Sequence, residues 1–140
     1  MKGDKIPDQH HVARYCQPKY ISDEKIQAGA FMVRKDEESL SVNWLEFLNC
    51  SSKESQVAEL QNIYSRTLKV RASSKIAVIN VGEVREKVLA ESLDRPNLEV
   101  LHDPQVDDPS HSGIYNLQQN DELIAELILE TVREIFSARK

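Results

Sequence analysis

Apolar residues at Val57, Leu60, Ile63, Tyr64 and Leu68 recur at the three- and four-residue spacing of one helix face, while Lys53, Glu59 and Arg66 stay off it. The spacing predicts a helix running to about Leu68. Ser51 followed by Glu54 is a Ser-x-x-Glu capping box, in which the hydroxyl and the carboxylate each satisfy an orphan N–H, and it predicts the start. "IAVINV" is then an unbroken apolar run rich in β-branched residues, the pattern of a strand buried on both faces. Gly82 is expected to turn the chain into a helix over "EVREKVLAESL", with Val84, Val88 and Leu89 inward and Pro96 closing it. A wide stripe of Leu123, Ile124, Leu127, Ile128, Val132, Ile135 and Phe136, opposite Glu122, Glu126, Glu130 and Arg133, predicts a last helix capped by Asn120.

Shorter patterns fill the remainder. "HVARYC" reads as a first strand that must end before Pro18, which has no N–H to donate. Residues 18–27 read as a connection with a helical turn around Ser22, Asp23 and Glu24. "GAFMVRK" and "LSVNW" read as a hairpin of two strands, "WLEFL" as a short helix capped by Asn43, and "LEVLH" as a further strand. Together these elements predict an α+β fold: one domain over residues 11–140, with a mixed sheet of about five strands packed with three to four helices, after a flexible polar N-terminus at 1–10.

Composition narrows the function classes. A length of 140 residues suits one core, and 40% hydrophobic with 29% charged residues suits a globular chain rather than a disordered one. No apolar run approaches the roughly 18–20 residues that span a bilayer. "MKGDKIPDQHH" lacks the apolar region of a secretory signal, so export is not expected. Cys16 and Cys50 form no Cys-x-x-Cys pair and are too few for a disulfide framework, which points to a reduced, cytoplasmic setting. A net charge of −5, from 18 basic and 23 acidic residues, argues against nucleic acid as partner.

The densest chemistry lies in "LHDPQVDDPSHSGIYN", residues 101–116, which reads as a loop following a strand. His102, Asp103 and His111 are metal-capable, and a His–Asp pair also orients an imidazole as a general base. Their spacing matches no zinc pattern, and Ser110 lacks the glycines of a nucleophile elbow. The same Asp, Ser, Pro and Gly residues also hold loops in shape through Asx and Ser turns. In "HHVARYC", Arg14 shares a strand face with Val12 and Cys16, and an arginine among apolar neighbours calls for a carboxylate or a phosphate. A structural ion pair, or an edge-strand position over an aromatic ring, is its plainer use, and Cys16 reads as a small buried hydrophobe. Ser41 and Asn43 alternate on one strand face. No glycine-rich phosphate loop and no His-Glu-x-x-His motif occurs.

"HVARYC.P", "AF..R", "LSVNWLE", "NVGEV" and "LHDP...DPSHSGI" together resemble the signature of a family of small bacterial single-domain proteins, over His11 to Arg139. The resemblance implies a stand-alone prokaryotic protein and carries no catalytic residue with it. Arg14 ahead of a serine-bearing strand also resembles ADP-ribosyltransferases, although their late glutamate has no counterpart that can be placed. Two functions follow. In the first, the chain is a non-enzymatic accessory component of a multi-gene system, engaging a protein partner or a second copy through its broad last helix. In the second, it is a small hydrolase or transferase acting on a phosphate-bearing or nucleotide substrate, with His102, Asp103 and His111 as base, orienter or metal ligands and Arg14 on the anion. A cleft joining Arg14 to the two histidines favours the enzyme, and side chains that staple their own loop favour the binder.

Overall fold

The computed structural model describes residues 2–140. Eight strands, β1 (His11–Cys16), β2 (Ile21–Ser22), β3 (Lys25–Ile26), β4 (Leu40–Trp44), β5 (Lys75–Asn80), β6 (Glu99–His102), β7 (His111–Tyr115) and β8 (Val132–Ser137), accompany three helices, α1 (Lys53–Thr67), α2 (Val81–Glu91) and α3 (Glu122–Glu130). Six strands form one sheet in the order β6-β7-β4-β1-β5-β8, with β2 and β3 a separate hairpin. Every pairing in the large sheet is antiparallel, so the α+β class holds while the sheet is wider than expected and not mixed.

Strand alternation divides the core in two. Along β5, Ile76 and Val78 face α1, where they meet Leu60, Ile63 and Tyr64. Ala77 and Ile79 face the opposite side, where α2 and α3 bring Val84, Val88, Ile124 and Ile128. Burial on both faces accounts for the unbroken apolar run in this strand. Asn80 ends it and also caps α2, its Oδ1 accepting the Glu83 N–H at 2.8 Å. Gly82 lies inside the first turn of α2 rather than at a chain reversal. Its role is close approach: a Cβ there would stand 3.0 Å from Asp8 Cβ.

Several expected elements differ. The N-terminal segment read as frayed runs along β6, with Gly3 N–H donating to the His102 carbonyl (2.6 Å), His102 N–H to Asp4 (2.8 Å) and Ile6 N–H to Val100 (2.9 Å). Buried Ile6, read as part of a polar tail, anchors it. Asp23 and Glu24 take left-handed backbone angles (φ 51° and 64°) between β2 and β3, so residues 22–24 make a tight hairpin turn and not a helical one. "GAFMVRK" is not a strand: Ala28–Phe31 forms a 3-10 turn, and Val33 makes one isolated bridge to Gln119. "WLEFL" is a 3-10 turn over Glu46–Leu48, and Asn43 lies within β4 rather than capping it. Ser52, one residue after the expected Ser51, caps α1 by accepting the Ser55 N–H. Leu89 points outward, at 39% exposure.

The last helix is shorter than its apolar stripe. Asp121, not Asn120, caps α3, and Thr131 ends it by donating its hydroxyl to the Ile128 carbonyl at 2.7 Å. Residues 132–137 then pair with β5, Phe136 opposite Ile76 and Ile135 opposite Ala77. Val132, Ile135 and Phe136 fit a helical period as well as a strand, and the open edge of β5 decides between them. In the same way residues 111–115, read as loop, form β7 between β4 and β6. No described helix is long and apolar enough to cross a membrane.

Candidate functional site

β1 and β4 pair at only two positions, Val12 with Trp44 and Ala13 with Asn43, although both strands continue. The Arg14 guanidinium occupies the split. Its Nε donates to the Ala30 carbonyl and its Nη1 to the Ser41 carbonyl, both at 2.8 Å, in place of ladder bonds. Among the described residues Arg14 makes no ion pair. Its Nη2 makes no hydrogen bond, and no buried side-chain nitrogen is left unpartnered, so this N–H pair is accessible, on a residue that lines a cleft. Burial pulls the guanidinium below its usual range, with Cys16, Glu37, Tyr64 and Tyr20 acting in the opposite sense.

The cleft holds about 380 Å³, and Arg14, Glu37, Ser41, Asn43, Tyr64, Asp108 and His111 are among the residues that line it. Sheet register assembles one wall: Asn43 pairs with Ala13 on one side and with His111 on the other. The Asn43 amide donates through Nδ2 to both Asp108 oxygens at 2.8 Å and to Ser110 Oγ at 2.9 Å. Ser110 Oγ donates in turn to Asp108 Oδ1, at 3.0 Å. From α1, the Tyr64 hydroxyl donates to Asn43 Oδ1 at 2.8 Å. Burial, with Asp108 adding to it, holds the Tyr64 hydroxyl well above its usual range, so it remains a neutral donor. Asp108 is 7% exposed and fixed by neutral donors.

His111 Nδ1 lies 3.0 Å from the Asp103 carbonyl. A carbonyl only accepts, so the hydrogen sits on Nδ1 and the lone pair of the neutral ring sits on Nε2. Asp103 therefore orients His111 through its backbone, while its carboxylate stands 3.6 Å from Nδ1 and 3.6 Å from Lys2 Nζ. His102 lies elsewhere. It is 3% exposed, with its ring 5.2 Å from Trp44 and 4.7 Å from Phe47, and its Nε2 is 2.8 Å from the Pro109 carbonyl. The structure thus brings Arg14 and His111 into one cleft and leaves His102 holding the loop. Among the described residues no group of three His, Cys, Asp or Glu side chains could hold a metal.

His10 and His11 also have structural partners: His10 Nδ1 accepts from Trp44 Nε1 at 2.9 Å, and His11 Nδ1 is 2.7 Å from Glu46. Cys16 is fully buried, and burial pushes its thiol up to about 12 against the pull of Arg14. The folded state holds that proton more tightly than the unfolded chain, so the thiol's contribution to stability is present below the usual thiol range and is lost as pH rises through it toward 12. A disulfide reagent is expected to label Cys50 in the folded protein and Cys16 only after denaturation. Equal native rates would place Cys16 at the surface.

Tyr64, Asp108 and the network role of Asn43 were not apparent in the sequence. A tyrosine on an otherwise aliphatic helix stripe was the available signal, since its buried hydroxyl needs a partner. No protein family, curated protein or solved structure matches the chain.

Proposed function

We propose that the chain binds a phosphate-bearing, nucleotide-like molecule in the Arg14–His111 cleft and acts on it as a small hydrolase or transferase. One observation carries this reading: a largely buried guanidinium without a carboxylate partner presents a free edge to an open cleft. Such an edge suits a phosphate oxygen, and burial strengthens that contact. His111 Nε2 supplies a proton acceptor on the wall, and Asn43 with Tyr64 fixes Asp108 below it. His102 behaves as an interaction-only protein would require, buried and stapling its own loop, whereas His111, though it also bonds the Asp103 carbonyl of that loop, lines the cleft together with Arg14. Two free cysteines support a reducing cytoplasm, and the sequence signature supports a bacterial source.

A thermal-shift titration with inorganic phosphate, pyrophosphate and ADP tests the proposal. The ligand that fits should raise Tm in the wild type, and His111→Ala should lose most of that shift while its own unliganded Tm falls by only about 2–4 °C, the cost of one ring and its hydrogen bond to the Asp103 carbonyl. No shift with any of the three, or an unliganded His111→Ala that melts far lower, would return His111 to a structural role.

The accessory-subunit reading stands second. It is favoured by a separate surface, where Leu93 and Leu123 are 93% and 66% exposed.

A further inference from the structure

A groove of about 260 Å³ separates the end of α2 from the first turns of α3. Ile124 and Leu127 line it, with Leu93 and Leu123 standing exposed at its lips. Exposed leucines grouped in this way are unusual on a monomer surface and mark contact sites when polar residues ring them. The ring here is of one sign: every charged residue lining the groove is a carboxylate. Glu91 and Glu130 share Lys87 Nζ at 2.8 and 3.2 Å, and Asp121 is spent on capping α3. Asp94 and Glu126 have no cation partner among the described residues. The volume is small beside the roughly 300–1,000 Å³ of small-molecule pockets, and suits a few side-chain anchors from a peptide.

We propose that this groove docks a cationic amphipathic helix of a partner protein, its apolar residues between Leu93 and Leu123 and its lysines or arginines against Asp94 and Glu126. The proposal deepens the accessory-subunit reading and is independent of the Arg14 cleft. A second copy is the competing occupant, because the chain presents Leu68 beside Lys69, Arg139 and Lys140 on its far side. Such a contact joins two different faces and does not close on a two-fold axis, so it would build rings or open chains. A foreign helix needs no such assembly.

The test uses the full chain and fluorescein-labelled synthetic peptides, read by anisotropy at low and high salt. One peptide carries leucines at i, i+3, i+4 and i+7 with lysines elsewhere, a second replaces the lysines with glutamates, and a third scrambles the first. The lysine peptide should bind, weaken with salt, and lose at least about tenfold in affinity to Leu93→Ser/Leu123→Ser, a change at exposed positions that leaves the fold intact. Preferred binding of the glutamate peptide would overturn the partner's charge while leaving the surface an interface. Binding of none, or equal binding of the scrambled peptide or by the double variant, would overturn the docking site itself. Concentration-dependent growth in sedimentation velocity, abolished by Leu93→Ser, would give the groove to a second copy and overturn the foreign partner.

Discussion

Arg14→Met is expected to abolish binding of the phosphate ligand while leaving the protein nearly as stable as the wild type. No carboxylate makes an ion pair with Arg14, and Glu37 offsets its burial only at longer range, so folding bears most of the cost of desolvating it with two carbonyl contacts in return. Methionine fills much of the same stem volume without that cost, and what it forfeits are the two contacts to the Ala30 and Ser41 carbonyls. Unfolding free energy should therefore change by less than ~1 kcal/mol, measured by urea denaturation. Ligand affinity, measured by calorimetry with whichever of phosphate, pyrophosphate or ADP shifts the wild type, should fall by at least about 30-fold, or ~2 kcal/mol. A buried arginine that costs stability and supplies binding is the expected signature of a site. A loss of several kcal/mol of stability, with residual ligand binding unchanged, would make Arg14 a structural wedge between β1 and β4.

Arg14 and its neighbours differ in how far their roles are written into the local sequence. Arg14 was legible because a charged residue between Val12 and Cys16 breaks an apolar strand face, a local contradiction that asks for a ligand or partner. His111 was legible by its chemistry, yet its surroundings were not. "HSGIY" has the glycine and serine of a turn, and it forms β7 because β4 and β6 both offer it backbone partners. Gly113 belongs there for close packing: a Cβ would come 2.5 Å from Ser39 Oγ, a contact 74 positions away that no local pattern records. His102 carries the same local chemistry as His111, and what separates the two is burial against the rings of Trp44 and Phe47 and the Pro109 carbonyl. β5 and α1 were plain because burial on fixed faces writes itself into periodicity. β8 was not, because a six-residue apolar–polar mixture satisfies either period and the neighbouring edge selects one.

Asn43→Ala is expected to be the most destabilising single change at the site. It removes the donor that serves both Asp108 oxygens and the acceptor of the Tyr64 hydroxyl, in a region where Asp108 and Tyr64 are both buried. A buried carboxylate left with only the Ser110 hydroxyl, and a buried hydroxyl left with no acceptor, together cost ~2–4 kcal/mol, which for a chain of this size lowers Tm by roughly 10 °C. The cost belongs to the orphaned partners rather than to the amide, and that makes it separable. In Tyr64→Phe the hydroxyl is already gone, so Asn43→Ala on that background has one fewer group to strand and should cost ~1 kcal/mol less than it does alone. Strict additivity in urea unfolding would mean that Tyr64 and Asn43 are neighbours without energetic coupling. Coupling of the expected size would instead tie α1 to the floor of the cleft, through Asn43 to the hairpin that carries Asp108 and His111. Ligand bound between Arg14 and His111 would then stabilise α1 as well, and slower amide hydrogen exchange around Tyr64 on ligand addition is the corresponding readout.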